Sequence, residues 1–299
     1  MTEVVAMGST ATMEAMATLV DRHRDFRVLR RMPAMRRNLA RGVRPGMLAG
    51  CAIDVETTGL HVADDAIIEL ALQRFWADED GRIVTTGRPH YWLEDPGRPI
   101  ASEITRLTGI ADADVAGRSI MDPIAASLIA DADFVVAHNA SFDCPFVEKR
   151  LPLTAGRPWV CTLKDVDWKA NGFEGRTLGH LLMQMGWFFD AHRASTDVTA
   201  LLHLLDHRLP SGGTVLKAAV EAAVRPAWIV DAVDAPFETK DLLKARGYRW
   251  NAQARHWSKE VSDTAFEAEY EWIVVQVYGG IAKPRFRSTS WCERHSAKG

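Results

Sequence analysis

The amino-acid sequence predicts an α/β protein, a mixed sheet with helices on both of its faces. Three observations lead there. Met47 to Val55 is a near-continuous apolar run, through Leu48, Ala49, Cys51, Ala52 and Ile53, as a strand buried on both faces requires. Two further strand-like runs, Ala66 to Trp76 and Arg82 to Leu93, are joined only by the short turn Asp78 to Gly81, so they pair antiparallel. Beyond residue 120, short apolar strands alternate with helical runs.

The elements follow in order. Residues 11–42 read as helical, with Pro33 as a kink or break, and Gly42 to Gly46 with Pro45 marks a boundary. After the three strands, Met121 to Ala132 reads as a helix rich in alanine and isoleucine, and Phe134 to Ala137 as a short buried strand. Ser141 to Arg150 is a helix closed by Pro152, and Trp159 to Cys161 is another short strand. Thr177 to Met185 is a helix ended by Gly186, and Ser195 to His207 a helix ended by Leu209-Pro210. Ser211-Gly212-Gly213 reads as a linker. The expected division is a basic helical extension over 1–46, a main α/β domain over 47–209, a linker and helix over 210–227, and a small module with its tail over 228–299.

Composition sets limits. With 47% hydrophobic and 25% charged residues, the chain has enough apolar material for a core and is no disordered polyelectrolyte. No stretch reaches the roughly 18 apolar residues that span a bilayer. Cys51, Cys144, Cys161 and Cys292 show neither C-x-x-C pairing nor metal-ligand spacing. They read as reduced thiols of a cytoplasmic protein. The net charge of −3 is unevenly spread: residues 1–48 hold nine arginines against four acids, and residues 226–299 are close to neutral. An acidic middle flanked by basic segments suits a carboxylate metal site acting on a polyanion, although many acidic enzymes bind no nucleic acid.

The flanks are less specific. The Arg22 to Arg44 cluster suits phosphate contact or a solvated face. Lys240 to Trp250, then Arg255-His256-Trp257, reads as a helix with Gly247 at its C-terminal cap, followed by a hairpin bearing Trp250 and Trp257. Interleaved basic and aromatic residues suit single-strand stacking, but the rings are expected to form the core of a small module. Pro284 to Gly299 reads as a frayed basic tail.

The chemistry gathers in three segments. Asp54 and Glu56 stand two apart at the end of the buried strand, and alternation places them on one face. An ordinary surface pair at a strand end has the same pattern. A pair of oxygen donors there also suits Mg²⁺ or Mn²⁺. Asp143 follows the apolar strand Phe134 to Ala137, just inside a helix, where an acid also favours the helix dipole. His192 lies in a loop before the last helix and Asp197 in its first turn, with Ser195 or Thr196 available to cap it.

Together these segments resemble the three sequence motifs of the DEDD exonucleases, histidine subtype, which include the proofreading epsilon subunit family of bacterial DNA polymerase III. The first motif is Asp54 to Leu60, the second His138 to Asp143 and the third His192 to Asp197, with a further family-like stretch from Ile104 to Ile110. The resemblance covers about residues 48–208, and no catalytic position departs from the pattern. It implies a ribonuclease H-like fold, a five-stranded mixed sheet whose second strand runs antiparallel. It implies two divalent cations, Mg²⁺ or Mn²⁺, about 4 Å apart. Asp54 would bridge both ions, Glu56 and Asp197 would complete their shells, and Asp143 would hold the second largely through water. His192 would take the proton of the attacking water. The backbone near Thr57 would contact the terminal 3′ hydroxyl, and Leu60 would wedge against the last bases, where ordinary core packing is the alternative. The implied partner is nucleic acid with a single-stranded or frayed 3′ end, DNA ahead of RNA, with a polymerase or repair protein beside it. An RNA-processing exonuclease, or an adaptor that kept the fold without catalysis, is the alternative, although degenerate members usually lose an acid and none is missing here.

Overall fold

This computed structural model describes residues 10–35, 42–252, 254–281 and 283–296. A two-residue strand, β1 (Arg30–Arg31), precedes β2 (Leu48–Thr57), β3 (Ile67–Ala77), β4 (Ile83–Leu93), β5 (Phe134–Ala137) and β6 (Trp159–Cys161). The last five form one sheet in the order β4-β3-β2-β5-β6. β3 runs antiparallel to β2 and β4, while β5 and β6 run parallel to β2. This is the mixed sheet that the strand pattern predicts, in the five-stranded, ribonuclease H-like form that the resemblance implies.

Both faces are covered, which explains the continuous apolar strands. Ala52, Phe75, Phe134 and Val136 face Leu181, Leu201 and Leu216, from helices Leu178–Gln184, Ala194–Asp206 and Val215–Ala223. Cys51, Ile53, Leu72 and Val135 face Ile129 and Phe146, from helices Asp122–Ala130 and Ala140–Arg150. Period-two alternation therefore puts Asp54 and Glu56 on the Ala52 side, under the Ala194–Asp206 helix. No helix among the described residues is long and apolar enough to cross a membrane.

The N-terminal segment departs from the helical expectation for residues 11–42. Among the described residues its helix covers only Thr10–Asp21 and buries no residue. The chain then extends, and β1 pairs in parallel with β7 (Trp187–Phe188). Met32 N donates to Phe188 O at 2.9 Å, and Arg31 pairs with Asp190 at 2.8 Å. A partner strand distant in sequence outweighs local helical propensity here. Arg36, Arg37 and Arg41 of the expected basic cluster lie outside the described residues.

The Ser211-Gly212-Gly213 stretch is a closed turn rather than an open linker. Leu209 N donates to Gly213 O at 3.0 Å, and the Thr214 hydroxyl caps the next helix by accepting from Lys217 N at 3.2 Å. That helix buries Val215, Leu216, Ala219 and Ala223 in the core of the first sheet.

A second sheet follows, from β8 (Ala227–Ala232), β9 (Arg249–Asn251), β10 (His256–Ser262) and β11 (Arg285–Thr289), in the antiparallel order β11-β8-β10-β9. Val230, Leu243, Tyr248 and Ile273 form its core with helix Phe266–Gln276. The Lys240–Ala245 helix ends at Gly247 (φ 93°), and Trp250 meets Trp257 across the expected hairpin. Trp257 packs on the core, but Trp250 on the edge strand is 53% exposed, so only one of the two rings matches the core expectation.

Among the described residues the last segment is no frayed tail; residues 297–299 lie outside them. After β11, residues 290–296 return to the first sheet. Trp159 N donates to Trp291 O at 2.8 Å, and the Trp291 ring stacks on Phe134. The Ser141 hydroxyl shares a hydrogen bond with His295 Nδ1 at 2.9 Å, and Ser296 Oγ donates to Glu148 at 2.6 Å. The segment thus grips both ends of the Ala140–Arg150 helix. Trp291→Ala is expected to cost about 2 kcal/mol, less than a fully buried tryptophan because the ring is half-buried. Urea unfolding of the full chain measures this, and an unchanged midpoint contradicts it.

Candidate active site

Asp54 and Glu56 emerge from the end of β2 on the face that the Ala194–Asp206 helix covers, and Asp197 lies in the first turn of that helix. The three side chains each offer an oxygen within 4.8 Å of the others. Asp143, buried in the first turn of the Ala140–Arg150 helix, stands slightly apart. Its Oδ1 accepts a hydrogen bond from Val55 N at 3.2 Å, which ties its helix to β2 between the other two acids.

The charges conflict. Burial, reinforced by the charges of Asp143, Asp197 and Glu56, raises Asp54 well above the ordinary carboxylate range. Burial, then Asp197 and Glu69, pushes Glu56 up to about 8. Burial raises Asp143 to about 7 despite the Val55 N–H, and Asp197 to about 6 despite backbone N–H groups from Arg193 and His192. Four acids held together against their own repulsion, all presenting hard oxygen donors, fit divalent cations.

A dependence on pH follows. Because the folded-state values lie above the unfolded ones, the metal-free folded protein binds more protons than the unfolded chain between about pH 4 and 8. The contribution of these acids to stability is present below pH 4 and is lost as pH rises through 6 to 8. Mg²⁺ binds the ionised form, so the gain in melting temperature on adding it should grow between pH 5 and 8. Thermal unfolding with EDTA or Mg²⁺ at each pH tests this, and a gain that shrinks with pH refutes it.

One contributor escaped the sequence reading. Glu69 of β3 lies opposite Glu56 and is 0% exposed. Its carboxylate accepts from Arg193 Nε and Nη2, both at 3.1 Å, and from Ala194 N at 3.0 Å. Arg193 N in turn donates to Asp197 at 3.1 Å. Two of the unpaired N–H groups at the start of the helix are thus met by carboxylates, and no Ser195 or Thr196 cap forms. The available signal was a lone acid inside the apolar run Ile67–Leu72, since a buried charge needs a partner.

His192 is exposed, with left-handed backbone (φ 67°), in the loop just before this helix. His138 serves another purpose. Its Nε2 donates to the Arg176 carbonyl and its Nδ1 shares a hydrogen bond with the Thr162 hydroxyl, each at 2.8 Å. Burial lowers its pKa to about 4, and it ties the β5 and β6 loops together.

The loop after β2 is firmly held. Asp65 accepts from His61 N at 2.9 Å, Thr58 Oγ1 at 3.1 Å and Arg98 at 2.8 Å, which keep its carboxyl below the usual range. Gly59 lies so close to the Asp65 carboxylate that a Cβ there would sit 2.5 Å from Oδ2. Lys149 donates to Val62 O, Ala63 O and Asp65 O. Thr57 is buried, but Leu60 is 78% exposed at the tip, so the core-packing alternative for it falls.

A family model described as Exonuclease, RNase_T, matches residues 51–205, about half of the chain. The chain is 38% identical over 161 residues to the PolC-type DNA polymerase III of Listeria innocua and 31% identical over 169 residues to that of Mycoplasma pneumoniae. Each alignment covers 52% of this chain but only 11% of the polymerase. Among solved structures, exonuclease X in complex with 5′ overhanging duplex DNA is 26% identical, with a TM-score of 0.42, over 58% of this chain and 99% of that one. Exonuclease I is 15% identical, with a TM-score of 0.48, over 72% of this chain and 62% of its own.

Proposed function

Because the chain belongs to the RNase_T exonuclease family, we propose that it is a 3′→5′ exonuclease that needs two divalent cations, Mg²⁺ or Mn²⁺, and releases nucleoside 5′-monophosphates. The observation that carries this is the convergence of Asp54, Glu56 and Asp197 from two distant segments into one oxygen cluster, with Asp143 behind it. These four acids hold the cations. When bound, the cations neutralise phosphate charge and make an attacking water more acidic.

The rest falls to the chain. His192 takes the proton of that water, and its exposed loop lets it reach a phosphodiester lying over the acids. The backbone at Thr57 receives the terminal 3′ hydroxyl, and exposed Leu60 wedges against the last bases, so a frayed or single-stranded end is required. The polymerase relatives favour DNA over RNA and a role in proofreading or repair, with a polymerase or repair protein as partner. The four free cysteines suit the cytoplasm.

The test is a panel of 5′-labelled single- and double-stranded DNA and RNA under Mg²⁺ or Mn²⁺. Shortening from the 3′ end that drops on the order of 10²- to 10⁴-fold in His192→Ala supports the reading. Binding without cleavage under both metals marks an adaptor and overturns it.

A further inference from the structure

The second sheet has two unlike faces. Trp228 and Val230 of β8, Trp257 and Val261 of β10 and Phe286 of β11 pack toward the core. Alternation turns Asp231, Ser258, Arg285, Arg287 and Arg249 to the opposite face. Register places Arg285, Asp231, Ser258 and Arg249 in one line across all four strands. Strand spacing sets Arg285 and Arg249 about 14 Å apart at the ends of that line.

The face is organised from beneath. Asp231 is buried and accepts from Ser258 Oγ at 2.7 Å, and it lies 3.3 Å from His256 Nε2 and 3.9 Å from Arg287 Nε. It therefore fixes two basic side chains and presents little negative charge itself. Glu260, the other acid of this face, pairs with Arg294 at 2.7 Å. Arg249 and Arg285 are left exposed to solvent. Trp250, next to Arg249 on the edge strand, turns to the other face with Trp257, its register partner, and leaves this face to the basic side chains.

We propose that this face is a second nucleic-acid contact, one that holds the phosphate backbone of a single DNA strand away from the catalytic carboxylates. The inference rests on the exonuclease reading for the identity of the strand. A polyanion complements the line of arginines, and the DNA strand of the exonuclease reading is one.

The test compares the full chain with its Arg249→Glu/Arg285→Glu variant. Neither residue touches the carboxylate cluster. Fluorescence anisotropy with a labelled 20-nucleotide DNA strand in EDTA, across a salt series, should show about tenfold weaker binding. The log–log salt slope should be shallower by about 1.4, near 0.7 for each lost phosphate contact. Turnover of a trinucleotide should stay unchanged while KM for the 20-nucleotide strand rises, and Arg249→Lys/Arg285→Lys should keep most of the affinity. Unchanged affinity and slope overturn the proposal, as does equal loss on both substrates. A shift in binding of a labelled polyglutamate peptide without a shift for DNA also overturns it and assigns the face to an acidic protein. If the wild-type chain binds the strand but cleaves nothing, the exonuclease reading fails and the binding comparison still decides this one.

Discussion

Asp54→Asn is expected to lower nucleotide release from a 3′ end by at least about 10³-fold while making the metal-free protein more stable. The two effects share a cause. Asp54 lies among Asp143, Asp197, Glu56 and Glu69 and is pushed well above its ordinary pKa, first by burial, so its ionised form is strained without metal. An amide of the same shape removes that repulsion, with a gain on the order of 1 kcal/mol at pH 8. The same change removes an oxygen donor worth several kcal/mol to the charged transition state, and about 4 kcal/mol is a thousandfold in rate. Unfolding in EDTA and in Mg²⁺ should show a higher midpoint without metal and a smaller gain with it. A folded Asp54→Asn protein with full activity would sink the metal assignment.

Arg193→Ala is expected to have the largest effect on stability, about 3 kcal/mol. It leaves Glu69 fully buried without its guanidinium, and an uncompensated buried charge costs more than the lost contact. Activity should fall as well, because Glu69 and Arg193 fix the first turn that carries Asp197 and the loop that carries His192. Glu69→Leu combined with Arg193→Met should recover most of the stability, since the charge and its partner leave together, while Ala194 N stays unpaired. It should not recover activity. A paired variant as active as the wild type would show that this ion pair only supports the fold.

The motif acids were legible because their spacing is local. Two residues along a strand share a face, so Asp54 and Glu56 could be placed from sequence, and helix boundaries followed from Gly186 and Pro210. What stayed hidden depended on partners far along the chain. Arg30 and Arg31 extend because Trp187 and Phe188 offer a strand edge, which no local propensity encodes. Ser195 and Thr196 resemble caps, but Glu69 occupies that position from another strand. His295 reads as part of a basic end, and its role appears only where Ser141 lies, 154 positions earlier. Leu60 shows the reverse limit. Its exposure is a fact of the fold, and only the motif proposes a purpose for it.

That distant latch has a kinetic meaning. The helix bearing Asp143 is gripped at Ser141 and at Glu148 by residues 154 and 148 positions later. Closing a loop of that length directly is slow and entropically costly. Once β11 has docked on β8, however, Ser290 to Ser296 becomes a short arm on a fixed base, and the search shrinks to a few residues. The native contacts therefore favour docking of β11 before the arm reaches the helix that bears Asp143, which makes that helix depend on a segment far along the chain.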